Sequence, residues 1–224
     1  MVDDSKRIPS TRVFTREECG LQENAFVFCC FNNDYKFNPK VLDGWSRILL
    51  AAKNSVLWIS ENNEYFRANI ATEFESRGID SDRIIFAQRV EMMADHLSRY
   101  ALADLFLDTH PYNAHTTALD SLKAGVPILT LMGQSFASRV AASLLNAIEL
   151  PELITNTQEQ YEALAIELAM NSNKLETIKL KLANNRLTTP LFDTSLFAKN
   201  LEAAYIDMHG RYHAGSEPYH IIIA

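Results

Sequence analysis

The chain has 224 residues, of which 47% are hydrophobic, so it can bury a substantial core in one or two α/β domains. Its formal net charge of -7 argues against binding to nucleic acid or to an anionic membrane, because either partner needs a basic face. The three cysteines have neither the spacing of a disulfide framework nor that of a zinc site, and no apolar run approaches the roughly 18 residues that cross a bilayer. We therefore expect a cytoplasmic protein whose cysteines are buried thiols.

Strands and helices alternate along the first part of the chain. Residues 1–24 are densely charged and lack sustained periodicity, whereas residues 25–31 form a continuous apolar run of strand length. Further strands are predicted at 55–59, 83–86, 105–108 and 127–131, with helices at 41–52, 65–77, around 96–99, after 115 and at 136–145. This alternation predicts an α/β fold with a Rossmann-like, doubly wound parallel sheet. Amphipathic helices are predicted to follow at 159–170, 174–185 and 194–208.

The stretch 104–125 combines a strand, a polar loop and a helix that a glycine can end. The loop delivers three polar residues to the first turn of the helix, namely His115, Thr116 and Thr117. Backbone N–H groups in that turn lack partners and the helix dipole is positive there, so the turn can bind a phosphate. Asp120, about one turn further on, can accept hydrogen bonds from a ribose attached to that phosphate. The simpler alternative is that Asn113 or Thr116 only caps the helix.

A second polar loop, residues 32–36, follows the first strand and contains Lys36. In the common strand order 3-2-1-4-5-6 the first and fourth strands are neighbours, and ligands bind outside the carboxyl ends of such strands. The loops 32–36 and 109–117 should therefore meet, with the Lys36 ammonium facing the start of the helix near His115. This geometry predicts a site for a diphosphate. The alternative is that Lys36 is a solvated loop lysine.

Other patterns give weaker candidate sites. Asp80 and Asp82 form a D-x-D pair, but they precede the third strand and so lie at its amino end, away from the predicted crevice. His209 and His213 have the spacing of a metal-binding pair, but Gly210 weakens the helix between them and no third ligand is obvious. We therefore expect no metal site. The chain also lacks G-x-G-x-x-G and G-x-x-x-x-G-K-[ST] motifs, so its phosphate site must be of another kind.

Five motifs together resemble one protein family. They are FNNDYK at 31–36, HLSRYALADLFLDT at 96–109, PYNAHTTALDSLKAGVPILT at 111–130, SFASRVAASLL at 135–145 and PLFDT at 190–194. In this order they resemble the carboxyl half of the catalytic region of O-linked N-acetylglucosamine transferases and their SPINDLY-like bacterial and plant relatives. The resemblance implies a glycosyltransferase B architecture, in which the second of two Rossmann-like domains holds most of the nucleotide-sugar. This chain resembles that second domain.

The resemblance also implies a domain organisation and partners. Residues 1–24 are expected to be a linker from an amino-terminal catalytic half, residues 25–186 the nucleotide-sugar-binding domain, and residues 187–224 a carboxyl-terminal helix and tail. The family's amino-terminal catalytic half and tetratricopeptide repeats bring acceptor-side residues and protein acceptors. Neither part matches these 224 residues, so both are expected as partners.

Individual roles follow from the same resemblance. Lys36 matches the lysine on the donor diphosphate, where it would act catalytically by stabilising the leaving phosphate, and Asn33 stands where the family commonly has an amide. The phosphate-binding HTT motif is matched by His115, Thr116 and Thr117. The ribose-binding acid is matched by Asp120, and two residues around the uracil are matched by His96 and Arg99. Residues 87–95 depart from the family because they lack a lysine that its members with the best-known donor binding have. The donor sugar and base therefore stay open.

The implied reaction is a metal-independent, inverting transfer of N-acetylglucosamine from UDP-N-acetylglucosamine to a Ser or Thr hydroxyl. Negative charge grows on the departing diphosphate, and a lysine with fixed hydrogen-bond donors can stabilise it without a metal or other cofactor. Two alternatives stay open at this point. One is a SPINDLY-like transferase that uses GDP-fucose, and the other is a non-catalytic nucleotide-sugar-binding or interaction module.

Overall fold

The computed structural model describes residues 7–61 and 63–223, which contain a six-stranded sheet. Its strands are β1 (Phe26–Cys30), β2 (Ser55–Ser60), β3 (Ile84–Ala87), β4 (Leu105–Leu107), β5 (Ile128–Leu131) and β6 (Ile154–Thr155). All paired strands run parallel, in the order β3-β2-β1-β4-β5-β6. The prediction of a Rossmann-like, doubly wound parallel sheet is confirmed, including the adjacency of the first and fourth strands.

Eight α-helices are described in the same part of the chain. They are α1 (Pro39–Ala51), α2 (Glu64–Glu75), α3 (Met93–Arg99), α4 (Thr116–Ala124), α5 (Val140–Ala147), α6 (Gln158–Met170), α7 (Ser172–Thr188) and α8 (Thr194–His213). The boundaries of α1 have clear local causes, because Pro39 fits the first helical position and the Asn38 side chain accepts a hydrogen bond from the Val41 N–H. Gly125 ends α4 as predicted, with a left-handed φ of 88° that glycine adopts without strain.

Three elements differ from the sequence prediction. The sixth strand, β6, has only two residues and is therefore too short to leave a hydrophobic pattern. The helix expected at 136–145 is divided, since a 3-10 turn at Phe136–Ser138 precedes α5. Helix α8 continues through Gly210 to His213, past the predicted end at residue 208. An interior glycine costs helix stability of roughly 1 kcal/mol but does not by itself end a helix.

The central strand β1 is buried on both faces of the sheet. Val27, Phe28, Cys29 and Cys30 are all 0% exposed, as expected for a parallel strand covered by helices on both sides. Cys29 and Cys30 are free thiols, and burial raises the pKa of each well above its ordinary value. The prediction of buried thiols is therefore confirmed for these two, whereas Cys19 is half-buried.

The two ends of the described chain differ in how they pack. Residues 7–24 lie against the domain, where Phe14 and Leu21 are buried. Helix α8 has no buried residue, and its large exposed apolar side chains are Leu196, Phe197, Leu201, Tyr205, Ile206, Met208 and Tyr212. The domain boundaries at residues 24 and 186 stay predictions, and the second lies within α7. Within residues 7–61 and 63–223, no helix combines the length and hydrophobicity that a membrane span needs.

Candidate functional site

The carboxyl ends of β1 and β4 carry the two polar loops that the sequence predicts to meet. The strands are neighbours, with Phe28 opposite Leu105 and Cys29 opposite Phe106. After β1 the chain turns through a short 3-10 helix, Asp34–Lys36, and after β4 it forms the loop that leads into α4. The two loops line one cleft of about 240 Å³, whose residues include Asn33, Lys36, Tyr112, His115, Thr116 and Thr117.

Lys36 lies inside this cleft rather than in solvent. It is 9% exposed, and its Nζ donates a hydrogen bond to the Asn113 carbonyl oxygen at 2.8 Å. Nζ also lies 4.1 Å from the centre of the Tyr112 ring, in a cation–π contact. Burial lowers the pKa of Lys36 from its ordinary value. The alternative of a solvated loop lysine is therefore wrong. Because an ammonium has three donors, the bond to Asn113 does not exhaust it.

The first turn of α4 has no side-chain cap. His115 occupies the N-cap position without a capping hydrogen bond. The Asn113 side-chain amide donates instead to the Thr109 carbonyl oxygen at 2.7 Å. The alternative that Asn113 or Thr116 only caps this helix is therefore wrong. Backbone N–H groups of the first turn can therefore bind an anion, and the exposed Thr116 and the half-buried Thr117 lie beside them.

His115 closes one side of the cleft between two aromatic rings. Its ring centre lies 5.2 Å from that of Tyr112 and 6.1 Å from that of Phe136. Burial lowers the pKa of His115 below its ordinary value, so the imidazole is neutral near pH 7. A neutral imidazole can hydrogen-bond a phosphate but cannot neutralise it. Among the lining residues named above, Lys36 supplies the positive charge.

Asn32 lines the cleft and ties the two loops together. It is 2% exposed, its Nδ2 donates to Thr109 Oγ1 at 2.9 Å, and its Oδ1 accepts a hydrogen bond from the Thr117 hydroxyl. Sequence reasoning did not assign this role to Asn32. The available signal was its position directly after a wholly apolar strand, where a buried polar side chain must find partners.

Asp108 organises the loop after β4 from inside the core. It is 3% exposed, and one carboxylate oxygen accepts from the backbone N–H groups of Thr109 at 2.8 Å and Ala114 at 2.6 Å. The other oxygen accepts from the Thr130 hydroxyl at 2.6 Å. Burial outweighs these hydrogen bonds and raises the pKa of Asp108 to about 7. Sequence reasoning recognised this acid only as the end of a strand.

A second cleft, of about 520 Å³, adjoins the first at Asn33 and contains the residues expected near a base. Arg99 Nη2 lies 2.7 Å from His96 Nδ1, and Arg99 Nη1 donates to the Gln88 carbonyl oxygen at 2.6 Å. Burial and the charge of Arg99 lower the pKa of His96 to about 4. Since a guanidinium only donates, Nδ1 must accept and the neutral ring carries its proton on Nε2. Arg99, 5% exposed, thus orients His96 as a hydrogen-bond donor.

Asp120 lies within α4 and lines neither of these two clefts. It is 3% exposed, and its Oδ1 accepts from Arg7 Nη1 at 2.6 Å. Burial raises the pKa of Asp120 to about 6, and Arg7 opposes the rise. Arg7 precedes Asp120 by 113 residues, so no local pattern pointed to this partner. Whether the predicted site residues contact a donor stays a prediction.

The patterns considered for metal binding lie away from both clefts. Asp80 and Asp82 flank the turn that leads into β3, at the amino end of that strand as predicted. His209 and His213 lie on α8 with their Nε2 atoms 3.0 Å apart. Within the described residues, no three His, Cys, Asp or Glu side chains come together as metal ligands would. Independence from metal stays a prediction.

Comparison with known proteins gives a consistent family. The model of glycosyl transferase family 41 matches residues 3–201. A probable UDP-N-acetylglucosamine–peptide N-acetylglucosaminyltransferase SEC from Arabidopsis thaliana is 41% identical over 206 residues, which cover 92% of this chain and 21% of that protein. The UDP-N-acetylglucosamine–peptide N-acetylglucosaminyltransferase of Caenorhabditis elegans is 35% identical over 217 residues, which cover 96% of this chain and 19% of that protein. The chain thus spans about a fifth of the length of these curated relatives.

Solved structures agree with the sequence comparison. The K341M mutant of the Thermobaculum terrenum O-GlcNAc transferase superposes with a TM-score of 0.78 at 30% identity, covering 90% of this chain and 38% of that one. The α,α-trehalose 6-phosphate synthase of Burkholderia multivorans superposes with a TM-score of 0.57 at 14% identity, covering 88% of this chain and 45% of that one. At this identity the similarity indicates a shared fold only. The chain therefore has the fold of one Rossmann-like domain of a glycosyltransferase B architecture.

Proposed function

Because the chain belongs to glycosyl transferase family 41, we propose that it is the donor-binding part of a protein O-glycosyltransferase. The proposed donor is UDP-N-acetylglucosamine, and the proposed acceptors are Ser and Thr hydroxyls of proteins. One observation carries the proposal. The buried ammonium of Lys36 and the uncapped first turn of α4 share one cleft between β1 and β4, where the strand order of the sheet reverses.

The donor spans both clefts in this proposal. Its diphosphate lies between Lys36 and the N–H groups at the start of α4, where the hydroxyl of Thr116 and the imidazole of His115 add hydrogen bonds. Its base lies in the second cleft, where Arg99 leaves the His96 Nε2–H free to donate to a carbonyl oxygen. Asn33 lines both clefts and stands where the nucleotide passes from one to the other.

The chemistry follows from where charge develops. As the sugar–oxygen bond breaks, negative charge grows on the diphosphate, and a fixed ammonium with oriented N–H groups stabilises that charge. The acceptor hydroxyl oxygen attacks the anomeric carbon from the opposite face, which inverts its configuration. The diphosphate departs with the electron pair of the broken bond, and the hydroxyl proton is released on the acceptor side. In this proposal Lys36 and the N–H groups of α4 stabilise the leaving phosphate, and no metal or other cofactor takes part.

The acceptor side lies outside this proposal for the chain itself. The relatives are about five times as long, and we infer that an amino-terminal catalytic half with tetratricopeptide repeats supplies acceptor-side residues and holds protein acceptors. Sugar transfer to protein acceptors is therefore proposed for the whole protein, and donor binding is proposed for this chain.

Calorimetric titration tests donor binding directly. UDP, UDP-N-acetylglucosamine and GDP are titrated into the 224-residue chain, and UDP and its sugar should bind more tightly than GDP. Thr116→Val, which removes one hydroxyl at the start of α4, should weaken UDP binding by roughly tenfold or more, the worth of one hydrogen bond to a charged group. Thr177→Val is the matched control, since Thr177 is exposed on α7. Absence of UDP binding by the folded wild type would overturn the proposal.

A further inference from the structure

The amino-terminal segment, residues 7–14, is fastened onto α3. The backbone N–H of Ser10 donates to the Ala94 carbonyl oxygen at 3.0 Å, and the Ser98 hydroxyl donates to the Ser10 carbonyl oxygen at 2.8 Å. Phe14, at the end of the segment, is 8% exposed. These contacts hold the segment on both sides of Ser10, so the position of Arg7 follows from them.

Arg7 reaches from this segment to the point between the two clefts. Its Nη1 lies 2.6 Å from Asp120 Oδ1 and 3.5 Å from the sulfur of Met93. Met93 lines the second cleft, and Thr117, one turn before Asp120, lines the first. The Asp120 side chain is 4% exposed and that of Arg7 is 19% exposed, so the ion pair is largely removed from water.

The surroundings of Asp120 make Arg7 its source of positive charge. Two further titratable groups interact electrostatically with the pair, His96 on α3 with Arg7 and Tyr100 in the turn after α3 with Asp120. Burial lowers the pKa of His96 to about 4 and raises that of Tyr100 well above its ordinary value, so both are neutral near pH 7. A buried carboxyl without a cationic partner tends to take up a proton. Among these described neighbours, Arg7 alone opposes that uptake.

We propose that Arg7 is a positioning residue of the donor site, which fixes one oxygen of Asp120 and keeps the group a carboxylate so that it accepts the hydroxyls of the donor's ribose. The proposal rests on the proposed function, because the ribose belongs to the nucleotide-sugar placed there. A carboxylate offers about four lone-pair sites, so one bond to Arg7 does not exhaust the acceptor capacity of Asp120. The segment before β1 thereby contributes a residue to the nucleotide site without touching the nucleotide.

The test compares Arg7→Met and Arg7→Lys by UDP titration from about pH 6 to about pH 8.5, a range that brackets the titration of a buried acid. Arg7→Met should bind UDP roughly tenfold more weakly near pH 6.5, the worth of one hydrogen bond to a charged group, and should regain affinity as the pH rises and Asp120 ionises. Arg7→Lys should retain most of the affinity and the wild-type pH profile. In an Asp120→Asn background, Arg7→Met should have no further effect.

Arg12→Met is the matched control, because Arg12 lies in the same segment but pairs with the exposed Glu18. It should bind UDP as the wild type does. Carbon-detected NMR of the ligand-free chain measures Asp120 itself, whose midpoint should rise in Arg7→Met and stay in Arg7→Lys. With wild-type binding intact, an unchanged or tighter affinity in folded Arg7→Met would overturn the inference. A wild type that does not bind UDP would overturn the proposed function instead, and an unchanged Asp120 midpoint would overturn the role of Arg7.

Discussion

Replacing Lys36 by methionine removes the ammonium and keeps the apolar stem. In the free chain the change removes the Nζ hydrogen bond to Asn113, at 2.8 Å, and the contact with the Tyr112 ring, at 4.1 Å. The hydrogen bond stabilises the fold by about 1.5 to 3 kcal/mol and the cation–π contact by about 0.5 to 2 kcal/mol. Desolvation of the ammonium opposes them, which is why the pKa of Lys36 is lowered. We expect the free energy of unfolding to change by less than about 1 kcal/mol, or Tm by less than about 4 °C.

Binding of UDP should change far more than stability in the same variant. With the diphosphate in the first cleft, Lys36 makes a charge-assisted hydrogen bond worth about 1.5 to 3 kcal/mol, so affinity should fall roughly 10- to 150-fold. Calorimetric titration measures the affinity, and thermal unfolding measures Tm. Lys53→Met is the matched control, because Lys53 is exposed in the turn before β2, at the opposite end of the strands. A folded Lys36→Met variant that binds UDP as tightly as wild type would refute the placement of the diphosphate.

Three further outcomes are expected. The pKa of Asp108 is about 7 in the folded chain and about 3.9 when unfolded, so the folded state binds more protons between these two pH values. Urea unfolding should therefore show that the free energy of unfolding falls from about pH 4 to about pH 7, with a smaller fall in Asp108→Asn. EDTA, or Asp80→Asn with Asp82→Asn, should leave UDP affinity unaltered in titrations, and a strict need for manganese or magnesium would contradict this. The chain alone should transfer negligible radiolabelled sugar to lysate proteins, because unpositioned acceptors forfeit much of roughly 7 to 11 kcal/mol; a homologous amino-terminal half should restore transfer, and robust transfer without it would contradict the division of labour.

The first five strands could be predicted because each buried parallel strand is apolar on both faces and each helix has its own periodicity, and their order followed from the common doubly wound topology. The adjacency of β1 and β4 then brought Lys36 close to His115 by topology alone. The capping alternative for Asn113 could not be decided in this way, because a cap and a loop hydrogen bond need the same residue types. Only the contact with the Thr109 carbonyl oxygen decided it.

The unpredicted features depend on contacts between distant parts of the chain. Asn32 contacts Thr109 across 77 residues, and Arg7 contacts Asp120 across 113 residues. Neither pairing leaves a local sequence pattern, because it exists only once the sheet has formed. The end of α8 was missed for a different reason, since the cost of one glycine is smaller than the summed propensity of the residues around it.

The three cysteines lie at different depths, so the chain carries its own reporters of opening. Cys29 and Cys30 are 0% exposed in β1, between β2 and β4, and a thiol reagent reaches them only when the sheet comes apart. Cys19 is half-buried in the segment before β1, so its reactivity should rise when that segment lifts. Pulse labelling followed by mass spectrometry therefore separates two events. Detachment of the segment adds one adduct, whereas global unfolding adds three. The stretch that brings Arg7 to Asp120 can be timed separately from the sheet that positions Lys36.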